Sequence, residues 1–432
     1  MTTGFRTLRP YQAIGADFLA ARSAAILADD MGLGKTATAA TACLGTQALR
    51  ILWVAPAATL PGLVKELPKW GLPTPIIIKA NTIADHATYP VMLLSVDAAK
   101  MYRDHLMKGP RFSHLILDEA HTCKNPAAKR TRAVYKLRGH ADRFWALTGT
   151  PMPSRPIELQ TMLFHGLRLP WAERQRYGMR YCWMPNKWVA AGYDFTGCTS
   201  NAIKEIPELL APHMIRRRAE DVPGELPELQ RALVPLAAKD APLPFDKKSL
   251  VANFAERGTM PFEEMSGYRA IMGQRKVPGV VAWVKNWLDD AEGKSLVVFG
   301  WHRAALTAIA AALGTPYLAT GDTSPIARQA MVDKWAEGKG PRVFVASIGA
   351  CGIGLNGLHR RAGACAFCEN PWTPGEVQQA EGRIRRLGGL SGSIMSYFLT
   401  ADDSLESHIL SLILEKLDKQ TKILAPYIGD LI

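Results

Sequence analysis

The sequence predicts an α/β chain with two lobes, each built on a parallel sheet, and a helical insertion between them. Three observations carry this. Short apolar runs of strand length recur along the chain, and helix-length segments separate most of them. The alternation breaks once, after Pro156, and resumes at Ser295. Uninterrupted apolar runs belong to strands buried on both faces, and strands alternating with helices imply parallel crossovers. A chain of 432 residues is too long for one compact domain, and 48% apolar residues are ample for buried cores.

The first lobe is assigned to residues 1–160. Its strands are read at Ala24–Ala28, Ile51–Ala55, Val91–Ser95, His114–Asp118 and Phe144–Thr148. Residues 161–235 form the insertion, returning to the first lobe. The proline-free Ile157–Leu169 leads into it as a helix, and a stretch rich in Trp, Tyr, Arg and Gly follows. Residues 236–275 read as a linker and a helical segment, opening on "KDAPLPFDKK". The second lobe is assigned to 276–432, with strands at Ser295–Gly300, Pro316–Thr320, Arg342–Ser347, Ala364–Glu369 and Ser393–Leu399.

The formal net charge of +13 favours a polyanionic partner, nucleic acid ahead of a membrane surface. No basic start precedes an apolar segment, so no secretory signal is expected. No run approaches the roughly 20 apolar residues of a spanning helix. Seven scattered cysteines fit reduced thiols in a cytosolic compartment. "CAFC" (Cys365–Cys368) has the gap of a zinc knuckle but no second pair at usable spacing, and its apolar surroundings favour a core role.

"ILADDMGLGKT" (Ile26–Thr36) reads as strand, glycine turn and helix. Gly32 and Gly34 let main-chain N–H groups close around phosphate oxygens, and the helix N-terminus adds positive potential. Lys35 would reach the β- and γ-phosphates, and Thr36 would bind Mg²⁺. The match is partial, because Asp29 stands where the consensus has its first glycine. "HLILDEAH" (His114–His121) is a strand ending in two carboxylates. Asp118 can hold Mg²⁺, and Glu119 can orient or deprotonate an attacking water. Alone, the pair could be a strand end with solvated acids; with a phosphate loop upstream, nucleoside triphosphate hydrolysis is the simpler account.

The order of these motifs resembles the superfamily-two helicases and, more narrowly, the Snf-type double-stranded DNA translocases. "LRPYQ" (Leu8–Gln12), "DDMGLGKT", "LDEAH" followed by "CKNP", "LTGTP" (Leu147–Pro151), "GIGLN" (Gly352–Asn356) and "QAEGRIRRLGG" are similar to that family's motifs in order. The insertion more loosely resembles the annealing-helicase branch. The resemblance implies two RecA-like parallel-sheet lobes, ATP and Mg²⁺ as cofactors, and DNA as partner, double-stranded or at a fork or junction. It also implies a monomeric, membrane-free motor. Prokaryotic or phage-infected cytoplasm, associated with the nucleoid, is the expected setting, or the nucleus in a eukaryote. A strand-separating DNA or RNA helicase and an ATP-switched binding subunit of a larger complex are the alternatives.

By this resemblance the nucleotide is held by Arg9, Gln12, Asp30, Met31, Gly32, Leu33, Gly34, Lys35, Thr36, Ala37 and Gly354, with Gln12 at adenine. Thr36 and Asp118 hold the metal. Catalysis falls to Lys35, Asp118, Glu119, Gln379, Arg383 and Arg386. If "QQAEGRIRRLGG" (Gln378–Gly389) is helical, Gln379, Arg383 and Arg386 share a face and Arg385 points away, a solvated or DNA-facing charge. Lys124, Arg216, Arg217, Arg303, His359 and Arg360 are the DNA-contact candidates. Trp183, Trp188 and Tyr193 are candidates to stack on unpaired bases, with packing inside the insertion as the alternative. Gly382, in place of an acidic residue, and Arg385, in place of a histidine, depart from the family pattern.

Overall fold

The structure, a computed structural model, describes residues 7–187, 189–236, 262–351, 355–389, 392–401 and 406–424. It comprises two units: 1–225 together with 416–432, and 226–415.

The first unit is built on a seven-stranded sheet of order β3-β4-β2-β5-β6-β1-β9. The strands are β1 (Ala24–Leu27), β2 (Ile51–Ala55), β3 (Ile76–Ile77), β4 (Val91–Ser95), β5 (Phe112–Asp118), β6 (Ala141–Leu147) and β9 (Met214–Ile215). Every pairing is parallel. Successive residues of a strand face opposite ways. Leu52, Val54, Leu115 and Leu117 therefore enter the core on one side, and Ile51, Trp53, Ile116 and Trp145 that on the other. That two-sided burial is why the sequence shows unbroken apolar runs here.

The insertion holds the helix Ser200–Leu210 and a two-stranded antiparallel hairpin of β7 (Met184–Pro185) and β8 (Tyr193–Asp194). It leads back to the first sheet through β9, which pairs with β1. Its expected end is corrected, because β10 (Glu228–Leu236) pairs along its whole length with β15 (Ser393–Ala401) of the second sheet. The second sheet has the order β10-β15-β14-β11-β13-β12, with β11 (Ser295–Gly300), β12 (Leu318–Ala319), β13 (Val343–Ser347) and β14 (Ala362–Phe367). It too is parallel throughout. The expected limit of the second lobe at 432 shifts as well. Residues from Lys416 group with the first unit, where Ile423 and Leu424 join the core and Gln420 donates to the Met152 carbonyl.

Cys365 packs in the core on one side of the second sheet and Cys368 in the core on the other. Three residues apart at the end of a strand, they face away from each other, so "CAFC" is a core element. Among the described residues no group of three or more His, Cys, Asp or Glu side chains is placed to hold a metal ion, and no helix is long and apolar enough to cross a membrane.

Candidate active site

Register brings the motifs of the first unit together. Asp118 pairs with Leu147, Leu147 with Leu27, and Leu27 with Ile215, a row across β5, β6, β1 and β9. The segments leaving these strands therefore start side by side, at the carboxyl edge where open parallel sheets bind ligands.

After β1 the chain makes the phosphate loop. Gly32 and Gly34 have φ of 90° and 78°, left-handed values open to glycine without steric cost. Gly34 caps the helix Lys35–Gly45, and Thr36 and Ala37 occupy its first turn. Lys35 Nζ donates to the carbonyls of Asp29 and Asp30 at 2.7 and 3.2 Å. Burial pulls the Lys35 pKa down, while Glu119, Asp29, Asp118 and Asp30 oppose the shift. Gln12 reaches the same loop, and Arg9 bonds to Gln12. The Arg9 N–H donates to Gln12 Oε1 at 3.0 Å, Gln12 Nε2 donates to the Leu33 carbonyl at 3.1 Å, and Arg9 pairs with Glu225. The Tyr11 hydroxyl donates to the same Leu33 carbonyl at 3.1 Å.

Asp29 explains the missing consensus glycine. Its fully buried carboxylate accepts from the main-chain N–H of Arg217 at 3.1 Å, from its Nε at 2.9 Å and from its Nη2 at 2.5 Å. Arg217 Nη1 donates to the Tyr11 carbonyl. Asp30 accepts from Arg216 Nη2 at 3.4 Å and from the Ala219 N–H at 3.2 Å. Arg216 and Arg217 are only 4% and 3% exposed. Their assignment to DNA phosphates is thereby corrected: both guanidiniums are turned inward onto loop carboxylates. Gly15 makes room, since a Cβ there would lie 2.5 Å from Arg217 Nη2.

After β5 the carboxylates follow. The Glu119 N–H donates to Asp118 Oδ1 at 2.9 Å. Burial first, then Glu119, raises the Asp118 pKa to about 7, against the pull of Lys35. Glu119 has φ 48°, a left-handed value that strains a non-glycine residue. Its Oε2 lies 3.4 Å from His121 Nδ1. His121 Nδ1 in turn lies 3.0 Å from Thr148 Oγ1 and 3.3 Å from Thr150 Oγ1, tying the segment after β5 to that after β6. Burial lowers the His121 pKa. Between the threonines, a Cβ on Gly149 would stand 2.7 Å from Met31 Cγ and 3.2 Å from Lys35 Nζ. Asp29, Thr148, Gly149 and Thr150 thus belong to the site although residue typing did not select them. "LTGTP" was the available signal for three of them; no local pattern marked Asp29.

In the second unit the arginine helix spans Pro374–Ile384. Thr373 and Glu376 cap each other's N–H groups at its start. The helix ends sooner than expected: Arg385 is extended, with φ −92° and ψ 90°. Arg386 is therefore off the helical face assigned to it, yet it meets Arg383 by another route. Asn356 Oδ1 accepts from Arg383 Nη1 at 3.3 Å and from Arg386 Nη1 at 3.0 Å. The free, solvated reading of Arg385 is also corrected, because its Nε donates to the Pro227 carbonyl at 2.7 Å. Glu381 is buried and accepts both Arg231 nitrogens at 2.8 and 2.7 Å, fastening β10 to the helix. Gln379 lies on the helix, partly exposed. Gly354 and Trp188 lie outside the described residues.

Of the remaining DNA candidates, Lys124 pairs with Glu158, Arg303 with Asp322, and Arg360 with Asp333 at 2.5 Å. All three cations keep substantial exposure. His359 differs: burial, then Arg386 and Arg360, push its pKa to about 4, leaving an uncharged ring near neutrality.

A glycine-turned phosphate loop, paired carboxylates and a threonine bridge on one edge of a parallel sheet, with a second parallel-sheet unit bearing an arginine helix, define the helicase-like class of nucleotide-binding proteins. Within it, the chain belongs to the SNF2-related family: the SNF2-related domain matches residues 11–245. The chain is 29% identical over 427 residues to the Xenopus tropicalis SWI/SNF-related matrix-associated actin-dependent regulator of chromatin subfamily A-like protein 1, covering 95% of this chain and 44% of that protein. It is 28% identical over 426 residues to the human DNA annealing helicase and endonuclease ZRANB3, covering 93% of this chain and 39% of that protein. It thus spans less than half the length of these curated relatives. A Sulfolobus solfataricus SWI2/SNF2 ATPase core in complex with dsDNA aligns with 97% of this chain and 94% of its own, at 20% identity and a TM-score of 0.46.

Proposed function

We propose that the chain is an ATP-dependent double-stranded DNA translocase with annealing or fork-remodelling activity. One observation carries the ATPase reading above all. The phosphate loop, Asp118–Glu119 and the His121–Thr148–Thr150 bridge leave adjacent strands from one row of paired residues. Family membership and the relatives' names support DNA as the partner.

In this reading Lys35 releases the carbonyls of Asp29 and Asp30 and turns to the β- and γ-phosphates. The loop N–H groups around Gly32 and Gly34 hold the phosphate oxygens. Gln12 reads adenine beside Arg9. Thr36 and Asp118 would hold Mg²⁺, which neutralises phosphate charge when bound. Glu119 orients the attacking water and takes its proton. His121 reports the state of that carboxylate to Thr148 and Thr150. Arg383 and Arg386 meet the transferred phosphate during turnover, a contribution of roughly 10³–10⁵ in rate at comparable sites. Gln379 assists them. Lys124, Arg303 and Arg360 contact DNA phosphates. The protein works where the cell keeps its DNA; the two curated relatives named above are animal proteins and lend no support to a prokaryotic or phage host.

The test is ATP hydrolysis measured with duplex, forked and single-stranded DNA and with RNA. Stimulation by duplex or fork, lost in Lys35→Ala and Glu119→Gln, is expected. No stimulation by any DNA, or full stimulation in both variants, overturns the reading. A fork scored for annealing against unwinding separates the remodeller from a strand-separating helicase.

A further inference from the structure

We infer that the insertion carries a stacking platform for unpaired nucleic-acid bases, centred on Trp183. The inference rests on the proposed DNA function and adds a second ligand class, single strand, at a second place.

Nine large apolar side chains are exposed among the described residues, and four of them, Met179, Trp183, Met184 and Val189, fall in one short stretch. Trp183, at 41%, is the one aromatic ring among the nine. Clustered exposed apolar groups mark an interaction site more often than scattered ones do.

The main chain on both sides of Trp183 is tied by hydrogen bonds. The Asp194 carboxylate accepts from Asn186 Nδ2 at 2.7 Å and from the Thr196 N–H and hydroxyl at 2.9 and 2.5 Å. The Asn186 N–H donates to the Gly192 carbonyl at 2.9 Å, closing the β7–β8 hairpin. The Gly197 N–H donates to the Cys182 carbonyl at 2.9 Å, fixing the main chain next to Trp183. Phe195 packs so tightly on Gly178 that a Cβ there would lie 2.5 Å from its ring. Tyr193 is half-buried, its ring centroid 5.8 Å from that of Phe195 and its hydroxyl accepting from Gln175 Nε2 at 3.0 Å. The structure thus separates two residues that sequence treated alike: Tyr193 packs and Trp183 is presented.

Charge identifies the occupant. Arg168, Arg174, Arg176 and Lys187 are exposed along the same stretch. Two acidic side chains, Glu173 and Asp194, stand among them and are engaged within the stretch, and exposed Glu208 lines the same cleft as Arg176. Glu173 caps the turn Arg174–Tyr177 by accepting from the N–H groups of Gln175 and Arg176, and Asp194 closes the hairpin. Glu205, from the neighbouring helix, is taken by Arg180 at 2.6 Å. A protein-binding patch has an apolar centre depleted of charge. Here exposed basic side chains flank an exposed ring along the chain, the combination that grips a single strand by stacking and phosphate contact.

The test is fluorescence anisotropy of the full chain, without nucleotide, on a single-stranded oligonucleotide, a fork with an unpaired arm and a blunt duplex. Trp183→Ala, alone and with Met184→Ala, is compared with Trp183→Phe. Circular dichroism confirms that each variant is folded. The alanine variants are expected to lose about tenfold in affinity for single strand and fork, the loss of one stacked base. Duplex affinity and duplex-stimulated hydrolysis stay within about twofold, and Trp183→Phe recovers most of the loss. Unchanged single-strand affinity, or equal losses on duplex, overturns the platform. Failure of the translocase reading looks different: the parent protein then shows no duplex-stimulated hydrolysis, whatever its single-strand affinity.

Discussion

Replacing Arg217 by alanine tests the description of the phosphate loop most directly. The change leaves the Asp29 carboxylate fully buried and removes its Nε and Nη2 donors, keeping the main-chain N–H alone. Losing one partner of a buried ion pair costs about 3–5 kcal/mol, most of it from the charge left behind. In a unit of this size each kcal/mol lowers the melting temperature by about 2–4 °C, so a drop of about 6–20 °C is expected. Differential scanning calorimetry is the assay, because two units can melt in separate steps and only the first should move. Arg217→Lys keeps the charge without the planar fork and should fall between parent and alanine. Replacing both partners, as Asp29→Leu with Arg217→Met, should recover much of the loss, since no charge is stranded. A melt of Arg217→Ala within about 1 °C of the parent would refute the tether. So would a double variant no more stable than the single one, because the cost would then not lie in the abandoned carboxylate.

Four further outcomes are expected. Gly149→Ala should slow hydrolysis about tenfold or more with circular dichroism unchanged, because its new methyl meets Met31 and Lys35. Glu119→Gln should lower turnover by about 10²–10⁴ while leaving nucleotide binding, read by thermal shift, near the parent's. Burial, then Arg143, hold the His114 pKa near 4, so the unfolded chain gains a proton that the folded one refuses. Stability, read from denaturant midpoints, should therefore fall as pH drops from about 6.5 towards 4 and level off below, and His114→Gln should flatten that fall. Arg383→Ala or Arg386→Ala should abolish DNA-stimulated turnover while sparing DNA binding. Arg385→Ala should instead lower stability by about 1 kcal/mol, through its lost bond to Pro227, with much of the turnover retained.

The strands were legible because burial on both faces writes itself as unbroken apolar sequence; β2, β4 and β11 begin and end where the sequence places them. The phosphate loop and the carboxylates were legible because each is a local pattern. The tether was not. Asp29 and Arg217 lie 188 positions apart, and only the pairing of β1 with β9 brings them together. A run of three arginines at 216–218 reads from sequence as a surface patch for phosphates, yet two are interior cations answering one buried and one half-buried acid. The arginine helix failed in the opposite sense. Its face was drawn by assuming helical periodicity through Arg386, but the turn at Arg385 breaks it. Asn356, from a different motif, is what gathers Arg383 and Arg386. "CAFC" was legible as core from its apolar surroundings, and strand geometry sends its two thiols to opposite cores.

The stitch between Asp29 and Arg217 also bears on the order in which the chain can be made. The strand, loop and helix around Lys35 leave the ribosome early, but the cation that neutralises Asp29 and the edge strand beside β1 come only after the whole insertion. Until then the loop holds an acid with no counterion, in a segment that the finished protein shuts away from water. A nascent chain ending before Arg217 has reason to keep this loop open and solvated. The loop would then close late, when the arginine arrives; such long-range closure is the slow kind. Completion of the proposed nucleotide site would share that timing and wait on synthesis of the insertion.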